Sequence, residues 1–145
     1  MSAAPCTMGH MTDIVWPRGW RVEVGVLPPG LYGLTDFPRR CSTVAPDLHP
    51  WQHRATLVHE NIHAVDGPVP RWLEAREERR VHRETARRMI PLGELVHVLQ
   101  TTTDARVAAA MLEVPVALVW ARLQGLHPSE RHAVRRAIES AAHAA

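Results

Sequence analysis

The chain has 145 residues and a formal net charge of +2. That length suits one compact domain with a real core, and the net charge is unremarkable. All seventeen basic residues are Arg, and the favoured Ala, Arg, Val and Pro have GC-rich codons. This points to a high-GC bacterial or phage gene and removes weight from arginine as a sign of nucleic-acid binding.

No apolar run approaches the roughly 18 residues of a membrane span, and no charged-then-apolar leader opens the chain, so a cytoplasmic location is expected. Cys6 and Cys41 are too few for a disulfide scaffold and are expected to be free thiols. Residues 1–19 are expected to form a flexible leader, followed by a core over 20–91 and a helical region over 92–145.

In chain order, Arg21 to Val26 alternates polar and apolar residues, as a half-buried strand does. Pro28-Pro29-Gly30 is a turn, and Leu31–Leu34 and Arg40–Val44 are weaker strand candidates. A small antiparallel sheet or meander is expected from these three. Asp47 or Pro50 opens a helix over Trp51–Val65, with Ala55, Val58, Ile62 and Val65 as its apolar stripe. Gly67-Pro68-Val69-Pro70 stops it. A second, charged helix runs over Pro70–Met89, with Val81, Thr85 and Met89 on its inward face. Leu92, Leu95, Val96 and Leu99 have helical spacing. Thr103 is expected to cap a helix over Asp104–Glu113, Pro115 starts the next and Gly125 closes it, and Pro128 opens a last helix that frays into an Ala-rich tail. Strands followed by helices make the class α+β.

The first long helix carries His59-Glu60-Asn61-Ile62-His63, which is H-E-x-x-H. Histidines four apart lie one turn apart on one face, so both imidazoles reach a single ion. Glu60 points to another azimuth, where it can take a proton from an activated water. A catalytic zinc needs a third protein ligand. The metzincin continuation would require Gly and His where the chain has Asp66 and Val69, which excludes that class. Glu74, Glu77, Glu78, His82 and Glu84 on the following helix remain. At 100° per residue, Glu78 and Glu74 fall on the inward arc, and Glu77 and Glu84 fall outside it, toward solvent. Geometry favours Glu78 and leaves Glu74 open. Tyr32, His82 and His97 are candidates for oxyanion help, and His82 also for orienting a ligand.

The stretch Ala55-Thr56-Leu57-Val58-His59-Glu60-Asn61-Ile62-His63 is similar to the R-x-T-L-A-H-E-L-x-H segment of the ImmA/IrrE metallopeptidases. Their next helix reads approximately E-x-x-A-x-x-F-A-x-x-L-L-M-P. Here it resembles Glu78 to Pro91, with Val81 for Ala, Glu84 for Phe, Thr85 for Ala and Arg88 for Leu. The likeness covers roughly Trp20 to Leu126. It implies a zincin-like minimal fold and one zinc ion held by His59, His63 and Glu78, with Glu60 as general base. It also implies a protein substrate: a helix-turn-helix repressor of a mobile element or stress regulon.

A competing reading takes Arg106–Val114 and Pro115–Leu123 as a helix-turn-helix, with Arg122 and Gln124 facing bases and Arg131, Arg135 and Arg136 facing phosphates. The second helix is mostly apolar, which favours packing on the core instead. The alternatives to a peptidase are thus a DNA-binding regulator and a pseudo-peptidase that binds its repressor without cutting it.

Overall fold

The computed structural model describes residues 14–144. Three strands are followed by six helices, an α+β arrangement. Strands β1 (Arg21–Val24), β2 (Gly33–Asp36) and β3 (Cys41–Val44) form one sheet in the order β1-β3-β2. β2 and β3 are an antiparallel hairpin. Its turn is held by Asp36 Oδ1, which accepts from the Arg39 N–H at 3.0 Å. Arg40 takes a left-handed φ of 50° where the chain re-enters β3.

β1 pairs with β3 in parallel, Arg21 opposite Cys41 and Val24 opposite Val44. The expected antiparallel meander is therefore corrected to a mixed sheet. The long Val26–Tyr32 connection lets β1 sit beside the strand two further on, which a tight hairpin forbids. β1 is also exposed along its length rather than half-buried, because it is an edge with nothing packed on its faces. β3 is the buried centre, with Cys41, Ser42 and Val44 all enclosed. Cys41 is a free thiol, and Cys6 lies outside the described residues.

Of the leader expected over 1–19, residues 1–13 lie outside the described residues. The remainder is tied down: Ile14 packs on Val58, Ile62 and Val81, and Asn61 Nδ2 donates to the Val15 carbonyl at 2.9 Å.

Helix α1 (Pro50–Asp66) starts with proline in its first turn, and His49 caps it by accepting from the Trp51 N–H at 3.3 Å. It ends at Gly67, whose φ of 84° suits glycine and whose N–H returns to the His63 carbonyl at 2.9 Å. Ala55, Val58 and Ile62 are buried as expected, whereas Val65 is exposed because α1 outruns the core there. A single 3₁₀ turn (Arg71–Leu73) leads into α2 (Glu74–Met89). Then come α3 (Leu92–Leu99), α4 (Ala105–Leu112), α5 (Val116–Gln124) and α6 (Pro128–Ala144).

The cap of α4 is Asp104, not Thr103. Its Oδ1 accepts from the N–H groups of Arg106 at 2.8 Å and Val107 at 3.3 Å. The Ala-rich tail stays helical to Ala144.

α1 lies against β2, β3 and α2, and α2 lies in turn against α5. One buried cluster runs from Ala55 and Ala86 through Leu95, Leu118 and Val119 to Val134; a smaller one joins Val58, Ile62 and Val81. Arg122 of α5 is 3% exposed. Its Nε donates to the Ile90 carbonyl at 2.8 Å and its two terminal nitrogens to the Glu130 carboxylate at 3.2 and 2.7 Å. That guanidinium joins the end of α2, α5 and the start of α6. Among the described residues, no single helix is long and apolar enough to cross a membrane.

Candidate metal centre

The α1 backbone places His59 and His63 one turn apart, and their Nε2 atoms lie 3.2 Å from each other. Two imidazole nitrogens this close can engage one common group. Glu78 reaches across from α2: Oε1 lies 2.9 Å from His63 Nε2 and Oε2 3.2 Å from His59 Nε2. One donor atom from each of the three falls within 4.8 Å of the others, so the group could hold a metal ion. Two neutral nitrogens and one carboxylate oxygen match the His₂Glu donor chemistry of zinc.

The pair of histidines holds the Glu78 carboxyl far below the usual carboxylate range, chiefly through the hydrogen bond with His59 and then that with His63. Burial pulls His63 down, but the hydrogen bond and charge of Glu78 outweigh it and leave His63 raised.

The five residues competing for the third place separate cleanly. Glu74 lies on the cleft wall and is absent from the donor group. Glu77 is engaged by Arg80 at 2.6 Å, which lowers its pKa, and Glu84 is engaged by Arg87 and Arg88. His82 also lines the cleft. The reason for choosing Glu78 needs correction, however. Its side chain is 58% exposed. It stands at the open lip of the cleft and not on a buried face. Glu77 and Glu84, expected toward solvent, are more covered because arginines lie over them.

Glu60 is 5% exposed. Its Oε2 accepts from Thr35 Oγ1 of β2 at 2.8 Å. Burial pushes its carboxyl pKa up, against the opposing hydrogen bond from Thr35 and the nearby His59 and His63. Gly33 makes the close approach of β2 to α1 possible: a Cβ there would lie 2.4 Å from Glu60 Oε1 and 2.7 Å from the Thr56 methyl. Thr35 and Gly33 are the two site residues that sequence reasoning missed. The Gly33-Leu34-Thr35-Asp36 run reads only as a weak strand, and nothing in it announces the helix it touches.

His59, Glu60, His63 and Glu78 open into one cleft of about 770 Å³. Its near wall is the loop and strand from Gly30 to Thr35. Its far wall is the start of α5 at Pro115, Ala117 and Leu118. Tyr32 stands half-exposed at the near wall. Burial and the His59 ring lower the pKa of His82. His97 lies on α3, is exposed and does not line the cleft, which removes it as an oxyanion candidate.

No family model, characterised protein or solved structure matches the chain. The resemblance to the ImmA/IrrE metallopeptidases therefore rests on the two helical motifs alone.

α4 and α5 meet at 105°, within the range of a helix-turn-helix pair. Arg122, expected to face bases, is instead buried and paired with Glu130. The exposed face of α5 carries Val116 and Trp120.

Proposed function

We propose that this protein is a zinc-dependent metallopeptidase of the ImmA/IrrE kind that cleaves a protein substrate, a helix-turn-helix repressor of a mobile element or stress regulon. One observation carries the reading: the His59, His63 and Glu78 donor atoms converge beside a buried carboxylate, Glu60, that takes no part in the donor group. A structural ion pair would need no such fourth group.

His59, His63 and Glu78 would hold the ion, which when bound supplies Lewis-acid polarisation of a carbonyl and activation of water. Glu60 is the general base. It takes a proton from the attacking water and passes it to the leaving amine. Thr35 fixes the Glu60 carboxylate through one oxygen and leaves the other for that proton. Tyr32 and His82 both line the cleft and are the candidates to donate to an oxyanion. β2 is a sheet edge along the cleft, so its unpaired backbone groups suit an extended peptide laid beside it.

The DNA-binding reading draws support from the 105° crossing of α4 and α5 alone. It is disfavoured by an apolar outer face and by an arginine that cannot leave its buried pair.

The test is the purified protein's metal content together with cleavage of a candidate repressor. Wild type should carry one zinc per chain and cut. Glu60→Gln should keep the metal and bind the repressor without cutting it. A wild type that takes up no ion on reconstitution would overturn the reading, and a metal-loaded wild type that binds but never cuts would make it a pseudo-peptidase.

A further inference from the structure

Strand β1 is one end of the sheet, and among the described residues no strand pairs with its outer edge. The Arg21 N–H donates to the Arg40 carbonyl at 2.9 Å and the Gly25 N–H to the Val44 carbonyl at 3.0 Å. Odd positions of β1 therefore turn their backbone groups toward β3, and Val22 and Val24 turn theirs outward. Both ends of the strand leave that edge open. Arg40 donates from Nη2 to the Arg18 carbonyl, which holds the entry turn on the β3 side. The exit runs back to β2, where the Ala45 N–H meets the Tyr32 carbonyl at 2.8 Å.

The side chains of β1 divide by face. Val22 stands beside Ser42, and Ser42 beside Thr35, so the valines share the face on which Thr35 meets Glu60 of α1. α1 lies against β2 and β3; beyond it, Val22 and Val24 are 42% and 63% exposed. The opposite face carries Arg21 and Glu23. Among the described residues Arg21 is in no ion pair. Glu23 is met by Arg39 at 3.8 Å and by Thr43 Oγ1 at 3.5 Å, both on Oε1, and no cation meets its Oε2. The strand thus presents unpaired backbone groups, an apolar row and two opposite charges two residues apart.

We propose that β1 is the docking edge for a second copy of this chain, paired antiparallel about a two-fold axis through Val22. In that register Val22 exchanges both backbone hydrogen bonds with the partner's Val22, and Val24 faces the partner's Trp20. Arg21 faces the partner's Glu23, and symmetry makes that ion pair twice. Residues so opposed lie about 4.5–5.5 Å apart, close enough for the side chains to meet. The charges select the register. An axis through Glu23 would set two carboxylates face to face, and an axis through Val24 would leave Glu23 opposite glycine. Four residues of edge bury little area, so the dimer is weak, with Kd on the order of 10–100 μM. The cleft and the β2 edge stay open, which keeps the assignment independent of the metal centre.

Sedimentation equilibrium of the full chain, over about 5–500 μM, tests the assignment. Wild type should show reversible monomer–dimer association. Glu23→Arg and Arg21→Glu should each weaken it by about tenfold or more, because both ion pairs become repulsions. The double variant Arg21→Glu, Glu23→Arg exchanges the signs and remakes the pairs, so it should dimerise within about threefold of wild type. Val22→Pro removes the outward N–H and spares the bonds to β3; it should be monomeric with an unchanged far-ultraviolet circular dichroism spectrum. A wild type that stays monomeric throughout, a dimer indifferent to both single charge variants, or a double variant no tighter than the singles would overturn the proposal.

Discussion

Gly33 on β2 and Glu60 on α1 are so close that a methyl group at residue 33 would come within 2.4 Å of the carboxylate. The Glu60 carboxylate is thus seated by the absence of a side chain on the neighbouring strand. Gly33→Ala should push the Glu60 carboxylate off Thr35 while leaving the metal donors in place. The expected result is a 10- to 100-fold fall in kcat with zinc content unchanged. Steady-state kinetics beside metal analysis would check it, and a variant with wild-type kcat would show that the seat is loose.

Thr35 acts on Glu60 through a single hydroxyl. Thr35→Val keeps the shape and removes the donor, which leaves a buried carboxylate less well held, at about 1–3 kcal/mol. Thr35→Ser should restore both stability and turnover. If Val and Ser behave alike, the hydroxyl has no role.

Glu78 and Glu74 can be told apart directly. Glu78→Ala should lower zinc affinity by about 100-fold or more. Glu74→Ala should leave it within about twofold, since Glu74 is outside the donor group. Competition with a chromophoric chelator measures both. Stripping the ion from wild type should also lower Tm, because bound metal stabilises the folded state by mass action.

The Arg122–Glu130 pair predicts an acid limb of stability. Its hydrogen bonds with Arg122, and then the His127 N–H, lower the Glu130 pKa from 4.5 to about 2. A depressed carboxylate stabilises the fold above its unfolded pKa and loses that contribution as pH falls through the folded one. The loss should therefore develop between pH 4.5 and 2. It should amount to on the order of 1–3 kcal/mol after allowing for solvent contact at Glu130. Urea denaturation across that range should show a smaller slope in Glu130→Gln than in wild type.

Capping gives a contrast between adjacent residues. Asp104→Ala should cost about 1 kcal/mol, while Thr103→Ala should cost almost nothing. Denaturant midpoints decide it. A larger loss at Thr103 would mean that the cap is misassigned.

What the sequence carried was whatever depends on local spacing. The phase of His59 and His63 follows from 3.6 residues per turn, and the stop at Gly67 from glycine's left-handed freedom; the open position of Glu78 at the lip of the cleft did not. Contacts set by the approach of separate elements were not legible. Thr35 meets Glu60 from 25 residues away, and β1 passes over the nearer β2 to pair with β3. Neither leaves a periodic trace. Burial of Arg122 was hidden for the same reason: its partner, Glu130, lies on the next helix, and an arginine in an apolar run reads as a surface residue.

The uneven cover over the donor group has a kinetic consequence. The side chains of His59 and His63 are 21% and 13% exposed, that of Glu78 58%. In the proposed metal site, solvent, chelators and incoming ions would therefore approach over Glu78. Swinging that one side chain outward opens the site without moving α1. The rate of ion exchange would then be governed by the rotamer freedom of Glu78, and affinity by all three. A Glu78→Asp variant, with a shorter reach and fewer rotamers, would separate the two quantities.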